Sequence, residues 1–172
     1  YDSNLEINEK KQFWEKGLAT SLPYQLKKLG YKTKLWYGGS TSWASLSLFA
    51  PAMGFDECIG GPEICGDHAP ATWLGVYDHI FLEEVKKRIL EDDSDQPTMH
   101  FIYTTSNHSP TTIPIEKYGW NADAILGNIP ESVRKNTSKV ASLGTYWYAE
   151  KAMFAFVDAM KEAYEDSLIV VT

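Results

Sequence analysis

At 172 residues the chain is long enough for one domain with a buried core. Its 44% hydrophobic and 23% charged content is that of an ordinary globular fold. Sixteen Lys and Arg against 23 Asp and Glu leave a net charge of −7, which argues against a nucleic-acid-binding surface.

No apolar run approaches the roughly 20 residues that span a bilayer. Tyr1-Asp2-Ser3-Asn4 opens the chain without Met or a basic leader, and this reads as a piece of a longer protein. Residues 1–20, with charges around Leu5, Ile7, Phe13, Trp14 and Leu18, predict a peripheral helix. Ser21 is a candidate N-cap for a helix with Pro23 in its first turn, Leu22, Leu26 and Leu29 on one face, and Gly30 at its end. A strand over 31–37 follows, closed by Gly38-Gly39. Ser40 or Ser42 can cap a second helix to about Ala52, with Trp43, Leu46, Phe49 and Ala50 at helical spacing.

Residues 56–75 are dense in Gly, Pro and Asp and are expected to be loop. Within them Cys58 and Cys65 are separated by a Gly/Pro segment that could close a disulfide, although two unrelated thiols fit as well. A helix from Asp78 to about Leu90 repeats Phe81, Val85 and Ile89 at four-residue intervals. The acidic run 91–95 reads as a solvated connection. The strand 99–105 then stops in the polar loop Ser106-Asn107-His108-Ser109-Pro110.

Pro110, Pro114 and Pro130 mark an excursion over 109–138 with little regular structure. A long helix over about 140–165 places Tyr146, Ala149, Met153, Phe156, Met160 and Tyr164 toward a core. Ser167 to Thr172 has the composition of a buried parallel strand. Strands alternating with helices predict an α/β fold, a three-layer sandwich with a mainly parallel sheet. Ligands of open α/β sheets sit outside the carboxyl ends of the strands. That directs attention to Tyr37-Gly38-Gly39 and Ser106-Asn107-His108. His79 and His100 have no partner at metal-ligand spacing, and Gly66-Asp67-His68 reads as a turn. No phosphate loop, nucleophile elbow or dinucleotide fingerprint occurs.

Four blocks, in order, resemble the lipoteichoic-acid-synthase-like, phosphoglycerol-transferase branch of the sulfatase/alkaline-phosphatase superfamily. They are Ser21-Leu22-Pro23 with Leu29 to Thr33; Tyr37-Gly38-Gly39 with Trp43 and Gly54-Phe55-Asp56; Trp73-Leu74-Gly75-Val76 with Asp78 and Phe81; and Phe101 to Pro114. Together they cover residues 20–172. The resemblance implies the central portion of one extracytoplasmic, sulfatase-like domain. Its parent would be a bacterial envelope enzyme, anchored at the membrane, moving phosphoglycerol from a phospholipid-derived donor to a glycan or polymer. One divalent metal, manganese by preference, would serve the parent, with none expected in these residues.

By the same resemblance His108 matches a histidine that contacts the phosphoglycerol group, with Tyr37, Trp43 and Asn107 as further substrate-binding positions. The nucleophile and metal ligands of the family have no match in this chain, so no catalytic or metal-binding residue is assigned. The chain departs from the synthases at Tyr37, which replaces a histidine, and at Ala44 and Leu46, which replace a tryptophan and an arginine. Two alternatives remain: a sulfatase- or phosphatase-type ester hydrolase, or an inactive domain whose tryptophans (Trp36, Trp43, Trp73, Trp120, Trp147) line a glycan-binding groove.

Overall fold

A computed structural model describes residues 10–110, 112–125, 127 and 129–172. The fold is a three-stranded parallel sheet, order β2-β1-β3, with helices on both faces. Its strands are β1 (Lys32–Tyr37), β2 (Glu57–Gly60) and β3 (Thr98–Tyr103). The helices are α1 (Lys11–Lys16), α2 (Leu22–Lys28), α3 (Leu46–Ala52), α4 (Gly61–Cys65), α5 (Asp78–Leu90), α6 (Ala122–Ile125), α7 (Glu131–Arg134) and α8 (Thr137–Ala163). α1 buries no residue, in keeping with a peripheral segment; the part of the expected helix over residues 1–9 lies outside the described residues.

β1 is the central strand, and its last five residues are buried. Register pairs Trp36 with Ile59 and Ile102, and Leu35 with Cys58 and Phe101. Because side chains alternate across a sheet, these two rows face opposite layers. The Trp36 row packs on α5 and α8, where Phe81, Val85 and Ile89 meet Ala152 and Met160. Burying side chains of this kind contributes about 1.5–3 kcal/mol each. The Leu35 row faces α3, whose Leu46 carbonyl accepts from Cys58 Sγ.

That alternation answers the disulfide expectation. Cys58 lies on the α3 face, whereas Cys65 packs with the cluster on the α5 face, and both are free thiols. Burial pushes each thiol up to about 11, so neither is primed as a nucleophile.

Three strands are expected and three are found, but not the same three. β2 falls inside the stretch 56–75 read as loop. It is four residues long, and its entry is held by Asp56, whose carboxylate accepts from the Thr33 backbone N–H and hydroxyl at 2.9 and 3.0 Å. Residues 167–172, expected as a buried strand, pair with nothing among the described residues: Leu168 is 90% and Val170 71% exposed. An all-apolar strand needs cover on both faces, and here only Ile169 reaches the core.

Ser21 does cap α2, accepting from the Tyr24 N–H, with Pro23 in the first turn. The expected leucine face of that helix is largely open, however, since Leu22 and Leu29 are exposed and Pro23 is its buried residue. The second expected helix starts late. Trp43–Ser45 form a 3₁₀ turn in which Ala44 and Ser45 are left-handed (φ 49° and 56°) before α3 begins. Two successive non-glycine residues there cost about 1–2 kcal/mol each. The acidic connection is not wholly solvated either, because Asp92 pairs at 2.9 Å with Lys34, a buried lysine of β1.

Among the described residues the excursion over 109–138 holds a 3₁₀ turn (Ile115–Tyr118) and the four-residue helices α6 and α7 before α8 starts at Thr137. It nevertheless has a core of its own: Ile113, Ile115 and Trp120 pack with Tyr148 of α8. Along its first half the buried face of α8 is accordingly set by Gly144, Thr145, Tyr148 and Ala152, one residue before the expected Tyr146–Ala149–Met153 row, whereas toward its end Val157 and the expected Met160 are buried. A Cβ at Gly144 would strike Ile115 Cδ1 and lie 2.9 Å from Trp120 Cε2. Gly144→Ala is expected to destabilise the protein by about 1–3 kcal/mol. It should also raise proteolysis of residues 109–138 selectively, as limited digestion followed by mass spectrometry would show.

Candidate functional site

Three chain crossings meet at the carboxyl edge of the sheet. Gly38 and Gly39 leave β1, Gly60 and Gly61 leave β2, and Gly75 arrives from the loop before α5. Gly39 and Gly75 form an isolated antiparallel bridge, while the Gly38 carbonyl accepts from Val76 N–H at 2.9 Å. A Cβ on Gly75 would lie 2.5 Å from the Gly38 oxygen and 2.6 Å from Thr105 Oγ1. Only glycine permits that approach. The two segments it joins carry Tyr37 on one side and Trp73 on the other.

Tyr37 is buried, its ring stacked on Trp43 at 5.9 Å and tilted against Tyr103 at 5.5 Å. Burial first, then Tyr103, pushes its phenol up to about 12. The hydroxyl is buried without a hydrogen-bond partner among the described residues. Tyr37 therefore forms a floor under the half-exposed Trp43, which the left-handed pair Ala44-Ser45 follows directly. Leu46, the first residue of α3, is buried.

On the other side of the bridge, His108 and Asn107 are exposed in the loop after β3. The His108 ring meets Trp73, itself 58% exposed, edge-on at 5.2 Å. Its Nδ1 lies 2.7 Å from the Ser109 carbonyl. A carbonyl can only accept, so Nδ1 carries the proton and the neutral ring presents Nε2 as an acceptor. Nε2 can therefore take a hydrogen bond from a substrate hydroxyl, and donates to a phosphoryl oxygen only as imidazolium.

The loop is pinned from below. Asp78, first residue of α5, is 1% exposed, and its Oδ1 accepts from the N–H groups of Thr105 and Ser106 at 3.1 and 3.0 Å. Ser106 Oγ accepts in turn from Asp78 N–H at 2.8 Å. Burial raises the Asp78 carboxyl above its ordinary range, opposed by these bonds.

The structure thus gathers Tyr37 with Trp43, and His108 with Trp73, along one edge. From sequence Trp73 is a candidate only as one of the groove tryptophans, and Asp78 is not a candidate site residue, although both lie in a quoted block. Of the five candidate groove tryptophans, Trp36 and Trp120 are buried in separate cores and Trp147 leans on Trp120 at 5.6 Å, which leaves Trp43 and Trp73 at this edge. His79 bonds through Nδ1 to the Tyr148 hydroxyl, and His100 to Trp36. Asp67 and His68 are exposed in a turn. Among the described residues no three His, Cys, Asp or Glu side chains converge to hold a metal ion.

The family model for sulfatases matches residues 9–172. No curated protein sequence matches the chain. Among solved structures, the lipoteichoic acid synthase LtaP from Listeria monocytogenes superposes with a TM-score of 0.73 at 22% identity, over 95% of this chain and 36% of its own. An alkaline phosphatase superfamily protein from Vibrio parahaemolyticus gives 0.66 at 20% identity, over 91% and 35%. The C-terminal periplasmic domain of EcEptC from Escherichia coli, in complex with zinc, gives 0.52 at 15% identity, over 83% and 39%. This chain spans little more than a third of each of those structures, and at these identities the likeness is one of fold. The match to the family model extends over nearly the whole chain, and on it this chain belongs to the sulfatase family.

Proposed function

We propose that the protein containing this chain transfers a phosphoglycerol or similar phosphoryl-alcohol group from a lipid donor to a glycan or polymer, at the extracytoplasmic face of a bacterial membrane. The observation that supports it is His108: an exposed imidazole at the carboxyl edge of the sheet, with Nδ1 engaged by Ser109 and Nε2 free to meet a polyol phosphate. Trp73 walls one side of that imidazole, and Trp43 stands on Tyr37 across the glycine bridge. Asn107 adds an amide to the same loop. These residues bind and orient the alcohol portion of the group.

In this reading a divalent metal, manganese by preference, is held by residues other than those described here. Such an ion supplies charge neutralisation at the phosphoryl oxygens and lowers the pKa of an attacking hydroxyl. The domain assignment, as the central part of one sulfatase-like domain, belongs to the same proposal.

Simple ester hydrolysis is the second reading. Assaying the full-length protein with manganese separates the two. Transfer predicts activity on phosphodiesters such as a bis-aryl phosphate and a glycerophospholipid, and an acceptor-dependent product. Faster turnover of monoesters or sulfate esters, with water as sole acceptor, would overturn it.

A further inference from the structure

The His108 loop stays in place by a device that lies one helix away. Asp78 opens α5, a 13-residue helix, so its carboxylate sits where the helix dipole favours negative charge. From there it reaches the loop after β3, 27 and 28 residues on, through one oxygen that accepts two backbone N–H groups. Ser106 returns the bond to the Asp78 N–H. The three groups are all at most 2% exposed. Two residues beyond Ser106, the His108 N–H closes a turn on the Thr105 carbonyl at 3.2 Å. The residue fixed by Asp78 is thus the residue on which the histidine turn closes.

We infer that Asp78 is a positioning residue for His108, holding the 105–108 turn so that the imidazole stands against Trp73 with Nε2 facing outward. The inference rests on the substrate-contact reading of His108. Charge-assisted bonds of this type are about twice as strong as neutral ones, and their loss strands two buried donors. The second carboxylate oxygen, Oδ2, is buried without a partner. Neighbouring residues divide the work: Tyr77 and His79 contact Tyr118 at 6.3 and 4.8 Å and so clasp the excursion, whereas Asp78 binds the loop after β3.

The test is a mutant cycle in the full-length protein, following kcat and KM for a bis-aryl phosphodiester and a glycerophospholipid. D78A is expected to lower kcat/KM for the lipid about tenfold, and D78N, which keeps an Oδ1 acceptor, to recover most of that loss. In an H108A background D78A should cost less than about twofold more, because its effect passes through the histidine. A full tenfold loss in that background would overturn the inference while leaving the role of His108 intact. An H108A effect below threefold would overturn both. Should D78A fail to fold, S106A removes one of the three bonds and carries the same cycle, with a smaller loss expected and the same non-additivity required.

Discussion

His108→Ala in the full-length protein is expected to lower kcat/KM for a glycerophospholipid by 10- to 100-fold, about 1.4–2.7 kcal/mol of transition-state stabilisation. The magnitude follows from one well-placed polar contact to a reacting or adjacent group. Because His108 is exposed and its side-chain hydrogen bond among the described residues is to the next residue's carbonyl, its loss should move the melting temperature very little. The split between substrates is the more telling part. A bis-aryl diester has no polyol for Nε2 to engage, so its turnover should fall less than that of the lipid. Equal loss on both would assign His108 to the phosphoryl group as imidazolium; a loss under threefold on the lipid would remove it from the site. Trp73→Ala offers a companion measurement, since the ring that walls the imidazole should contribute a smaller loss in KM alone.

Much of this edge was legible in the chain because its parts are local. Ser21 and Pro23 start α2, Gly38-Gly39 end β1, and Phe81, Val85 and Ile89 mark α5 through four-residue spacing, each within a few residues of the feature it predicts. What escaped was non-local. β2 is too short to show a period, and it exists because Asp56 and Thr33 exchange hydrogen bonds across 23 residues. The buried face of the first half of α8 is set by a segment docking on Gly144, which no helical periodicity announces. The apolar end 167–172 signals a strand by composition, but pairing needs a neighbour, and none of the described residues provides one. The same division runs through the site. His108 stands out in a polar loop after an apolar strand, whereas Asp78 looks like any acidic residue in the first turn of a helix. Only the distance from α5 to the loop after β3 distinguishes it.

A second large effect is expected away from the site, in the pH dependence of stability. His100 on β3 lies over Trp36 and its Nδ1 accepts from Trp36 Nε1 at 3.0 Å, which requires that nitrogen to be unprotonated. Burial, reinforced by the charge of Lys34, brings the imidazole down to about 4, against about 6.5 in an unfolded chain. Between those values the unfolded chain binds a proton that the folded chain refuses, so stability rises with pH across the window. The contribution is fully present above about pH 6.5 and is lost progressively as the pH falls toward 4, on the order of 3 kcal/mol in all. Asp92 acts in the same direction at lower pH. The Lys34 hydrogen bond holds its carboxyl below the usual range, so its contribution is present above about pH 4 and fades beneath that. Urea unfolding of the full-length protein at pH 7, 6, 5 and 4.5 should show the first slope, and His100→Asn should flatten it while keeping an acceptor for Trp36. An unchanged slope in that variant would place the titration elsewhere. A neutral histidine locked to a tryptophan is thus a structural choice with a cost at acid pH, and it leaves His108 as the one histidine of β3 and its loop that is free to meet a substrate.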